Sequence, residues 1–371
     1  MRNERPPRFF ITAGEPSGDA HAARLMRQLR AHIPDVVFEG FGGPAMELEG
    51  LHSLASIRDL AVTGFVEVAK RYRYFTGLLD ECERHIQRSK PLAFIPVDYP
   101  GFNLRLARRV RSPRLPVIWY IAPQLWAWGK RRAPSLAAAV DRLLVVFPFE
   151  VEFFSRFGIR AEYVGHPLME TLGAPATRRQ DGPILLMPGS RTQELHRHVP
   201  ILTAAMQLVR AAHGHVDFVV PRAPGVAASA LQPLADAGAV IADDATAAMD
   251  AAWAGMIKAG TSTLEATLRG LPYGSFYRTS FLSYHLSKAL IDVPSITLMN
   301  LLLQRNVVHE YIQSEATPQA IAREIAVLSS NMERRMELTE AMLEIRHMLS
   351  SHGASSRAAE IICDALHGRR R

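Results

Sequence analysis

The first candidate for chemistry in this chain is a carboxylate at the end of an apolar run. Residues 92–97 read as a buried strand, and Asp98 follows them directly, before a turn that contains Tyr99, Pro100 and Gly101. In an open parallel sheet, ligands bind beyond the carboxyl ends of the strands, which places Asp98 where a ligand would lie. An aspartate in this position also often caps the following turn or helix. The sequence leaves both roles open.

A second candidate is the turn Gly189-Ser190-Arg191, which suits phosphate binding. It follows the apolar run 184–187 and precedes a long amphipathic helix. Backbone N–H groups and the dipole at the start of a helix attract an anion, and an arginine forms paired hydrogen bonds with phosphate oxygens. We therefore expect this turn to bind a phosphate group.

A similar turn occurs later in the same half, where Gly260, Thr261 and Ser262 precede or open a helix that contains Glu265. Two such turns in one domain indicate a diphosphate held between helix N-termini, with Glu265 placed to accept hydrogen bonds from a ribose diol. The spacing of Ser262 and Glu265 also matches a capping box, which would explain both residues without a ligand. The strand before this turn ends in Lys258, a polar residue to which the sequence assigns no role.

Other catalytic arrangements find no support in the sequence. It contains no convincing Ser/His/Asp ordering and no HExxH motif. His196 and His198 are two residues apart and fall on opposite faces of a helix, which makes them poor partners for one metal ion. We expect no metal and no cofactor.

Length and composition limit the class of protein. A chain of 371 residues is too long for one ordinary core and suits two domains. It is 48% hydrophobic and 21% charged, which is typical of globular proteins. The net charge of +7 favours an anionic partner such as a nucleotide, a phosphorylated substrate or an anionic membrane surface. The basic residues form no stripe with a reader motif, so nucleic acid is not expected.

The cysteines and the apolar runs indicate where the protein works. Cys82 and Cys363 are far apart and form neither a disulfide framework nor a metal pair, which fits a reducing compartment. No signal peptide precedes the first strand and no apolar stretch reaches about 18 residues, so any membrane contact would be at the surface. The stretch 59–79 mixes aliphatic and aromatic residues with cations. It is either a core-facing amphipathic helix or an interfacial surface whose cations face headgroup phosphates.

The elements that must position these residues alternate along the chain. Strand and helix patterns follow each other at βαβ spacing in both halves, which predicts doubly wound parallel sheets of the α/β class. A break rich in Pro, Gly and polar residues at 171–182 separates the halves. We expect one domain over 1–170 and a second over 171–340, with a ligand in the cleft between them. Helices over 341–371 would pack back on the first domain or on a partner subunit.

Eight short motifs, each at the end of a strand pattern, occur in one order along the chain. They are AGEPSGD (13–19), FGGPAM (41–46), VDYPGFN (97–103), APQLWAWGKRR (122–132), VFPFE (146–150), VGHPL (164–168), PGSRTQE (188–194) and KAGTSTLEATLRGLP (258–272). Together they resemble the lipid-A-disaccharide synthase family over residues 9–365. One such motif is weak, but the ordered set is specific.

The resemblance implies a GT-B fold with two Rossmann-like domains and an inverting glycosyltransferase that uses no metal or cofactor. Such an enzyme joins UDP-2,3-diacylglucosamine to 2,3-diacylglucosamine 1-phosphate, forming the β(1→6) lipid A disaccharide 1-phosphate and UDP. It would be cytoplasmic and peripheral on the inner face of the inner membrane, with Val62, Phe65, Val66 and Val68 against lipid, and a homodimer is open. Another UDP-sugar enzyme of this fold, such as a UDP-N-acetylglucosamine 2-epimerase, and a non-catalytic UDP-sugar-binding protein are the alternatives.

The resemblance also assigns roles to residues of this chain. The family's catalytic aspartate falls on Asp98, which would take the proton of the acceptor 6-hydroxyl as that oxygen attacks the anomeric carbon. Arg191 and the helix N-termini would stabilise the departing diphosphate. The other expected substrate contacts are Glu15, Ser17, Asp19, Gly189, Ser190, Gly260, Thr261, Ser262, Glu265, Asn300, Arg305 and Gln313.

The sequence departs from the family pattern near two of these residues. Gly101 stands where many relatives have a second aspartate, which weakens a mechanism with two carboxylates. In the loop that carries Asn300 and Arg305, Met299 replaces a proline and Gln304 replaces a glycine. Because glycine adopts backbone conformations that other residues avoid, the exchange at Gln304 puts the conformation of this loop in question.

Overall fold

A computed structural model gives the structure of the protein. It describes residues 6–56, 67–127, 129–280, 293–350 and 353–367, and for residues 67–72 the backbone alone. The chain divides into two compact units, called unit 1 and unit 2 below. Unit 1 is formed by Met1–Thr171 with Leu349–Arg371, and unit 2 by Leu172–Met348.

Unit 1 is built on a seven-stranded sheet in which all paired strands run parallel. Its strands are β1 (Arg8–Ala13), β2 (Val37–Gly42), β3 (Leu51–Ser56), β4 (Ala93–Val97), β5 (Ile118–Tyr120), β6 (Arg142–Val145) and β7 (Ala161–Tyr163). Across the sheet they lie in the order β3-β2-β1-β4-β5-β6-β7.

Unit 2 repeats this plan with six parallel strands in its described part. They are β8 (Ile184–Met187), β9 (Phe218–Pro221), β10 (Val240–Ala242), β11 (Ala254–Lys258), β12 (Tyr273–Tyr277) and β13 (Glu310–Ile312). Their order is β10-β9-β8-β11-β12-β13. The prediction of two doubly wound parallel sheets is confirmed.

Helices connect the strands in both units. In chain order they are α1 (Pro16–His32), α2 (Pro44–Leu48), α3 (Glu67–Ser89), α4 (Pro100–Val110), α5 (Ala133–Ala137), α6 (Pro148–Ser155), α7 (Thr192–His213), α8 (Gln232–Asp236), α9 (Ala245–Ala251), α10 (Thr261–Leu268), α11 (Leu298–Leu303), α12 (Pro318–Ser330), α13 (Met332–Leu349) and α14 (Ala354–His367). Short 3-10 turns lie at Lys130–Arg132, Pro167–Glu170, Ala228–Leu231 and Gln313–Glu315. The predicted limit at 340/341 falls inside α13, and α14 packs against α1 within unit 1.

The central strand β1 shows why these segments form a sheet covered on both faces. Its residues from Phe9 to Ala13 are fully buried, as expected for a strand between two helical layers. Side chains of a strand alternate between the faces. Accordingly Phe9 and Ile11 belong to one apolar cluster, which includes residues of α1 and α14, and Phe10 belongs to a second, which includes residues of α3 and α4.

Each sheet has one point where the strand order reverses. In unit 1 it lies between β1 and β4, where Ala13 pairs with Val97, and in unit 2 between β8 and β11, where Met187 pairs with Ile257. At such a switch point the connections leave in opposite directions and open a crevice beyond the strand ends. The residues that follow these four strands are the predicted site turns.

The stretch predicted to contact a membrane is described only in part. Val62, Phe65 and Val66 lie outside the described residues, and Val68 lies in α3 where the backbone alone is described. Further along α3, the buried residues Leu78, Leu79, Cys82 and Ile86 pack into the core of unit 1. Among the described residues, no helix is both long enough and apolar enough to span a bilayer.

Candidate active site

Asp98 lies at the switch point of unit 1 in an unusual backbone conformation. Its N–H donates to the carbonyl oxygen of Tyr120 at 3.1 Å. Asp98 and Tyr99 have φ angles of 47° and 49°, a left-handed region that residues other than glycine seldom adopt. Each such residue costs on the order of 1–3 kcal/mol, and this strain concentrates at functional sites. The N-cap of α4 is Tyr99, so Asp98 does not cap that helix.

The buried residue Asn103 holds this turn in place. Its Nδ2 donates to the carbonyl oxygen of Asp98 at 2.7 Å, and its Oδ1 accepts a hydrogen bond of 2.8 Å from the hydroxyl of Thr12 on β1. Next to β1, a Cβ on Gly14 would lie 2.2 Å from the ring of Tyr99, so glycine is required there. Sequence reasoning does not single out Asn103, because its contacts join two strands that are distant in the chain.

The surroundings of Asp98 raise the pKa of its carboxyl from 3.8 to about 6. Burial is the main cause because it disfavours the charged form, and the negative charge of Glu15 adds to it. A hydrogen bond from the backbone of Tyr99 acts in the opposite direction. Near neutral pH the group is ionised and still basic, which is the state that a general base needs.

The turn after β1 and the start of α1 contain one buried polar residue with a structural role and two exposed ones. Asp19 is only 4% exposed. Its carboxylate accepts three hydrogen bonds of 2.9–3.0 Å from the backbone N–H groups of Gly43, Ala45 and Met46. These bonds fix the start of α2 beside the turn. Glu15 and Ser17 are exposed at the start of α1, and their contact with a substrate stays a prediction.

A second buried carboxylate, Glu150, joins two of the sequence motifs. Its Oε1 accepts from the indole of Trp126 at 2.9 Å, and its Oε2 accepts from the N–H groups of Val146 and Phe147 at 3.1 and 3.0 Å. Complete burial raises the pKa of Glu150 to about 7 in spite of these donors. Glu150 therefore holds the tryptophan loop at the carboxyl edge of the sheet.

In unit 2, the turn after β8 is shaped by Gly189 and Glu194. Gly189 has a φ angle of 112°, and a Cβ there would lie 2.4 Å from Oε2 of Glu194. The same oxygen accepts long hydrogen bonds of 3.3 and 3.4 Å from the N–H groups of Ser190 and Arg191. The side chain of Arg191 is 81% exposed and so available to a ligand. The turn presents glycine, N–H groups and a guanidinium together.

Lys258, which the sequence left without a role, supplies a further cation at this switch point. Its Nζ lies 3.0 Å from Oε1 of Glu194, and the side chains are 19% and 7% exposed. Burial would raise the pKa of Glu194, but Lys258 and the turn's N–H donors outweigh it and hold that pKa below its usual value. A Cβ on Gly260 would lie 3.3 Å from the same Nζ. The ammonium group thus lies beside both glycine turns.

The turn after β11 leads into α10, which begins two residues earlier than a capping box between Ser262 and Glu265 would require. Gly260 is the N-cap of α10 and Thr261 is its first residue, so Ser262 lies inside the helix. The capping-box explanation of Ser262 and Glu265 is therefore wrong. Oε1 of Glu265 accepts a hydrogen bond of 3.3 Å from Arg269. The first N–H groups of α10 have no acceptor within the helix, which suits an anion.

His198 braces the turn after β8 through contacts of both ring nitrogens with the backbone. Its Nδ1 contacts the carbonyl oxygen of Pro188 at 2.6 Å, and its Nε2 accepts from the N–H of Arg278 at 3.0 Å. Burial lowers its pKa, so the ring is neutral. His196 is exposed on the opposite side. Within the described residues, no group of three or more His, Cys, Asp or Glu could hold a metal ion.

Asn300 is buried and holds the loop that follows α11. Its Oδ1 accepts from the N–H groups of Val307 and Val308 at 2.8 Å each. Its Nδ2 donates to the carbonyl oxygen of Val308 at 2.9 Å and to Glu310 at 3.0 Å. These bonds use all of its hydrogen-bonding capacity, so the predicted contact of Asn300 with a substrate has no free atom to make it.

The exchange at Gln304 leaves the backbone in the conformation that glycine favours. Gln304 has a φ angle of 52° and ends α11 in the left-handed region. Arg305 follows, is 57% exposed, and pairs with Glu344 at 2.6 Å. An exposed pair of this kind contributes little to stability, so Arg305 remains accessible to a ligand.

Gln313 lies at the carboxyl end of β13, on the same edge as the glycine turns. Its Oε1 accepts from the N–H of Thr279 at 3.3 Å. Its Nε2 is buried and has no partner among the residues that the structure describes. A buried donor without an acceptor is unfavourable, so this atom suits a ligand oxygen.

Comparison with known proteins identifies close relatives over almost the whole chain. The family model described as lipid-A-disaccharide synthetase matches residues 9–364. The lipid-A-disaccharide synthase of Anaeromyxobacter sp. (strain K) is 37% identical over 96% of this chain and 97% of its own length. That of Myxococcus xanthus (strain DK1622) is 35% identical over 97% of this chain and 98% of its own.

Solved structures with little sequence similarity share the fold. A calicheamicin glycosyltransferase superposes with a TM-score of 0.61 at 15% identity, covering 99% of both chains. A UDP-GlcNAc 2-epimerase from Neisseria meningitidis, solved with UDP-GlcNAc bound, gives a TM-score of 0.62 at 10% identity, covering 97% of this chain and 99% of its own. The fold is that of GT-B glycosyltransferases, as predicted.

We predict that Asp19→Ala lowers the free energy of unfolding by about 2–4 kcal/mol, because three backbone N–H groups lose a charged acceptor. Urea denaturation followed by tryptophan fluorescence measures this. Ser17→Ala, an exposed change in the same turn, should stay within about 0.5 kcal/mol of the parent protein. Equal effects of the two substitutions would contradict the supporting role of Asp19.

Proposed function

We propose a mechanism for this chain, which belongs to the lipid-A-disaccharide synthetase family. The chain is a glycosyltransferase that forms the lipid A disaccharide. We assign UDP-2,3-diacylglucosamine as its donor and 2,3-diacylglucosamine 1-phosphate as its acceptor. A β(1→6) bond joins the two sugars and UDP leaves.

Asp98 is the general base of this proposal. Its carboxylate takes the proton of the acceptor 6-hydroxyl while the oxygen attacks the anomeric carbon of the donor from the side opposite UDP. The new C–O bond forms as the bond to the β-phosphate oxygen breaks, and that electron pair stays on UDP. The observation that carries the proposal is the raised pKa of Asp98 in a strained turn at the switch point.

Unit 2 binds the UDP part of the donor. The N–H groups of Ser190 and Arg191, which form only long hydrogen bonds with Glu194, and those at the start of α10 face the diphosphate. Arg191 and Lys258 supply positive charge. Fixed donors and cations around a developing negative charge lower the barrier because they need no reorganisation. Nε2 of Gln313 and the carboxylate of Glu265 then contact the uridine or its ribose.

We further propose that the enzyme works at the cytoplasmic face of the inner membrane. Both sugars carry acyl chains, whereas the transfer itself involves charged groups that remain in water. Val62, Phe65, Val66 and Val68 would enter the lipid and the excess positive charge would face anionic headgroups. A homodimer stays a prediction.

The pH dependence of the reaction tests the base directly. Because Asp98 must be ionised, kcat/KM should fall about tenfold per pH unit below the pKa of about 6 and reach a plateau above it. Asp98→Asn should lower kcat roughly 10²–10⁴-fold while UDP binding is retained. Mass spectrometry of the product from the two diacylglucosamine substrates measures the rate and identifies the disaccharide.

Glu15→Gln provides a finer version of this experiment. It removes a negative charge that raises the pKa of Asp98, so the acid limb of the profile should move to lower pH. Glu47→Gln, in the first turn of α2, is the matched control and should leave the limb in place.

Activity of Asp98→Asn within a few-fold of the parent would remove Asp98 from the mechanism. Turnover of unacylated UDP-N-acetylglucosamine as fast as the diacyl donor would favour an epimerase-like enzyme.

Lys258→Met should weaken UDP binding roughly 10- to 100-fold, because a charge-assisted contact with the diphosphate is lost. Isothermal titration with UDP measures the change, and Lys258→Arg should restore most of the affinity. The double variant Lys258→Met with Glu194→Gln removes the unpaired carboxylate as well. Full recovery of UDP affinity in the double variant would mean that Lys258 acts only as the partner of Glu194.

Replacing Phe65, Val66 and Val68 with serine should release the protein from vesicles that contain anionic lipid, as measured by co-sedimentation, because their apolar contact with lipid is lost. The control replaces Leu48, Val240 and Met336, which are exposed elsewhere on the protein, with serine. Equal partition of both variants would contradict a membrane role for the stretch 59–79.

A further inference from the structure

Unit 2 contains a cavity away from the candidate active site. It has a volume of about 210 Å³, and its lining includes Arg178, Arg335, Arg346, Thr339, Met342 and Leu268. Leu268 ends α10, whereas the glycine turn of the donor site lies at the start of that helix. The cavity is therefore at the opposite edge of the sheet, and neither Asp98 nor the donor turns contribute to it.

Arg335 brings a buried positive charge to this cavity. The residue is 6% exposed. Its Nη1 donates to the carbonyl oxygens of Trp253 and Leu328 at 3.0 and 2.8 Å, and its guanidinium carbon lies 3.3 Å from the centre of the Trp253 ring. Within the described part of the chain, its Nε and Nη2 donate to no acceptor. Nη1 and the flat face of the guanidinium are thus held by contacts within unit 2. The edge that carries Nε and Nη2 is left for a ligand.

Arg178 and Arg346 are held in a similar way by backbone carbonyl oxygens. Arg178 donates to the carbonyl oxygens of Met249, Ala252, Arg269 and Gly270 at 2.6–2.8 Å and to that of Asp250 at 3.4 Å. Arg346 donates to the carbonyl oxygen of Leu268 at 2.5 Å and to that of Gly173. In the regions that the structure describes, none of the three cavity arginines forms an ion pair with a carboxylate. Burial and the nearby charge of Arg178 lower the pKa of Arg335 to about 10, and burial lowers that of Arg178 to about 10.

The negative charge of Asp250 acts on Arg178 at longer range. Three guanidinium groups around one cavity, none of them in an ion pair among the described residues, are still unfavourable. Buried charges in proteins are normally paired, and like charges in a poorly solvated site repel each other. Guanidinium forks match the oxygens of a phosphate group and form paired, charge-assisted hydrogen bonds with them. We propose that this cavity binds a small phosphate-bearing anion, either inorganic phosphate or a phosphomonoester whose organic part packs on Met342 and Leu268.

The position of the cavity gives such an anion a structural consequence. The chain enters unit 2 at Leu172 and leaves it at Met348. Arg178 lies six residues after the first of these points, and Arg346 lies two residues before the second. A bound anion would bridge both segments and stabilise the folded unit.

Thermal unfolding of the full chain tests the proposal. The measurement uses an Arg191→Ala background, which removes the donor-site arginine, and replaces chloride by phosphate at constant ionic strength. We expect a saturable rise in Tm, and Arg346→Gln should weaken the apparent affinity for phosphate roughly tenfold or more. Arg179→Gln, a fully exposed neighbour on the linker that does not line the cavity, is the matched control and should leave the affinity unchanged.

Equilibrium dialysis with labelled phosphate gives an independent measure in case a variant unfolds early. Arg335→Lys keeps the charge but loses the fork, and should also bind phosphate more weakly. The same measurement with glycerol 3-phosphate distinguishes the two proposed ligands. Tighter binding of glycerol 3-phosphate indicates a phosphomonoester, and tighter binding of phosphate indicates the free ion. Equal phosphate affinity in Arg346→Gln and Arg179→Gln, or a Tm that rises without saturation, would overturn the proposal. A response to a fatty-acid carboxylate but not to phosphate would overturn the assigned ligand class.

Discussion

The parallel pairing of β1 with β4 and of β8 with β11 is the constraint on which the rest of the structure depends. These pairs form the two points of reversed strand order, and the chain must leave each of them through a tight turn. Asp98, Arg191 and Lys258 each lie in one of those turns or beside one, whereas Gln313 follows the outer strand β13. Because these strands have a paired neighbour on both sides and are buried, the turns are presented by a rigid base.

The carboxylates of the two units differ in how many hydrogen-bond donors and cations they contact. This difference distinguishes the structural carboxylates from the proposed catalytic one. Asp19 and Glu194 accept backbone N–H donors, Glu194 also pairs with a lysine, and each fixes a turn. Glu310 similarly accepts from the N–H groups and hydroxyls at the start of α11. Asp98 is instead half-buried beside a like charge, so its pKa rises and it stays reactive near neutral pH.

Gln304 and Gly101, which depart from the family pattern, are accommodated by their immediate surroundings. Gln304 keeps a backbone conformation typical of glycine because Asn300, with all its hydrogen bonds made inside the loop, holds the chain on both sides. At Gly101 a Cβ would meet nothing within 4 Å, so this helix start has room for a side chain.

The sequence by itself determined the alternation of elements, the two parallel sheets and the turns that follow their strands, because apolar periodicity and glycine-rich turns are local properties. It identified Asp98 and Arg191 through their positions directly after strand patterns, and the ordered motifs assigned their roles. Only the tertiary structure decided the partners of Lys258, the bracing role of Asn103 and the holding role of Asn300. Those roles depend on hydrogen bonds and ion pairs between residues that meet only once the strands are assembled, and no local pattern encodes such contacts.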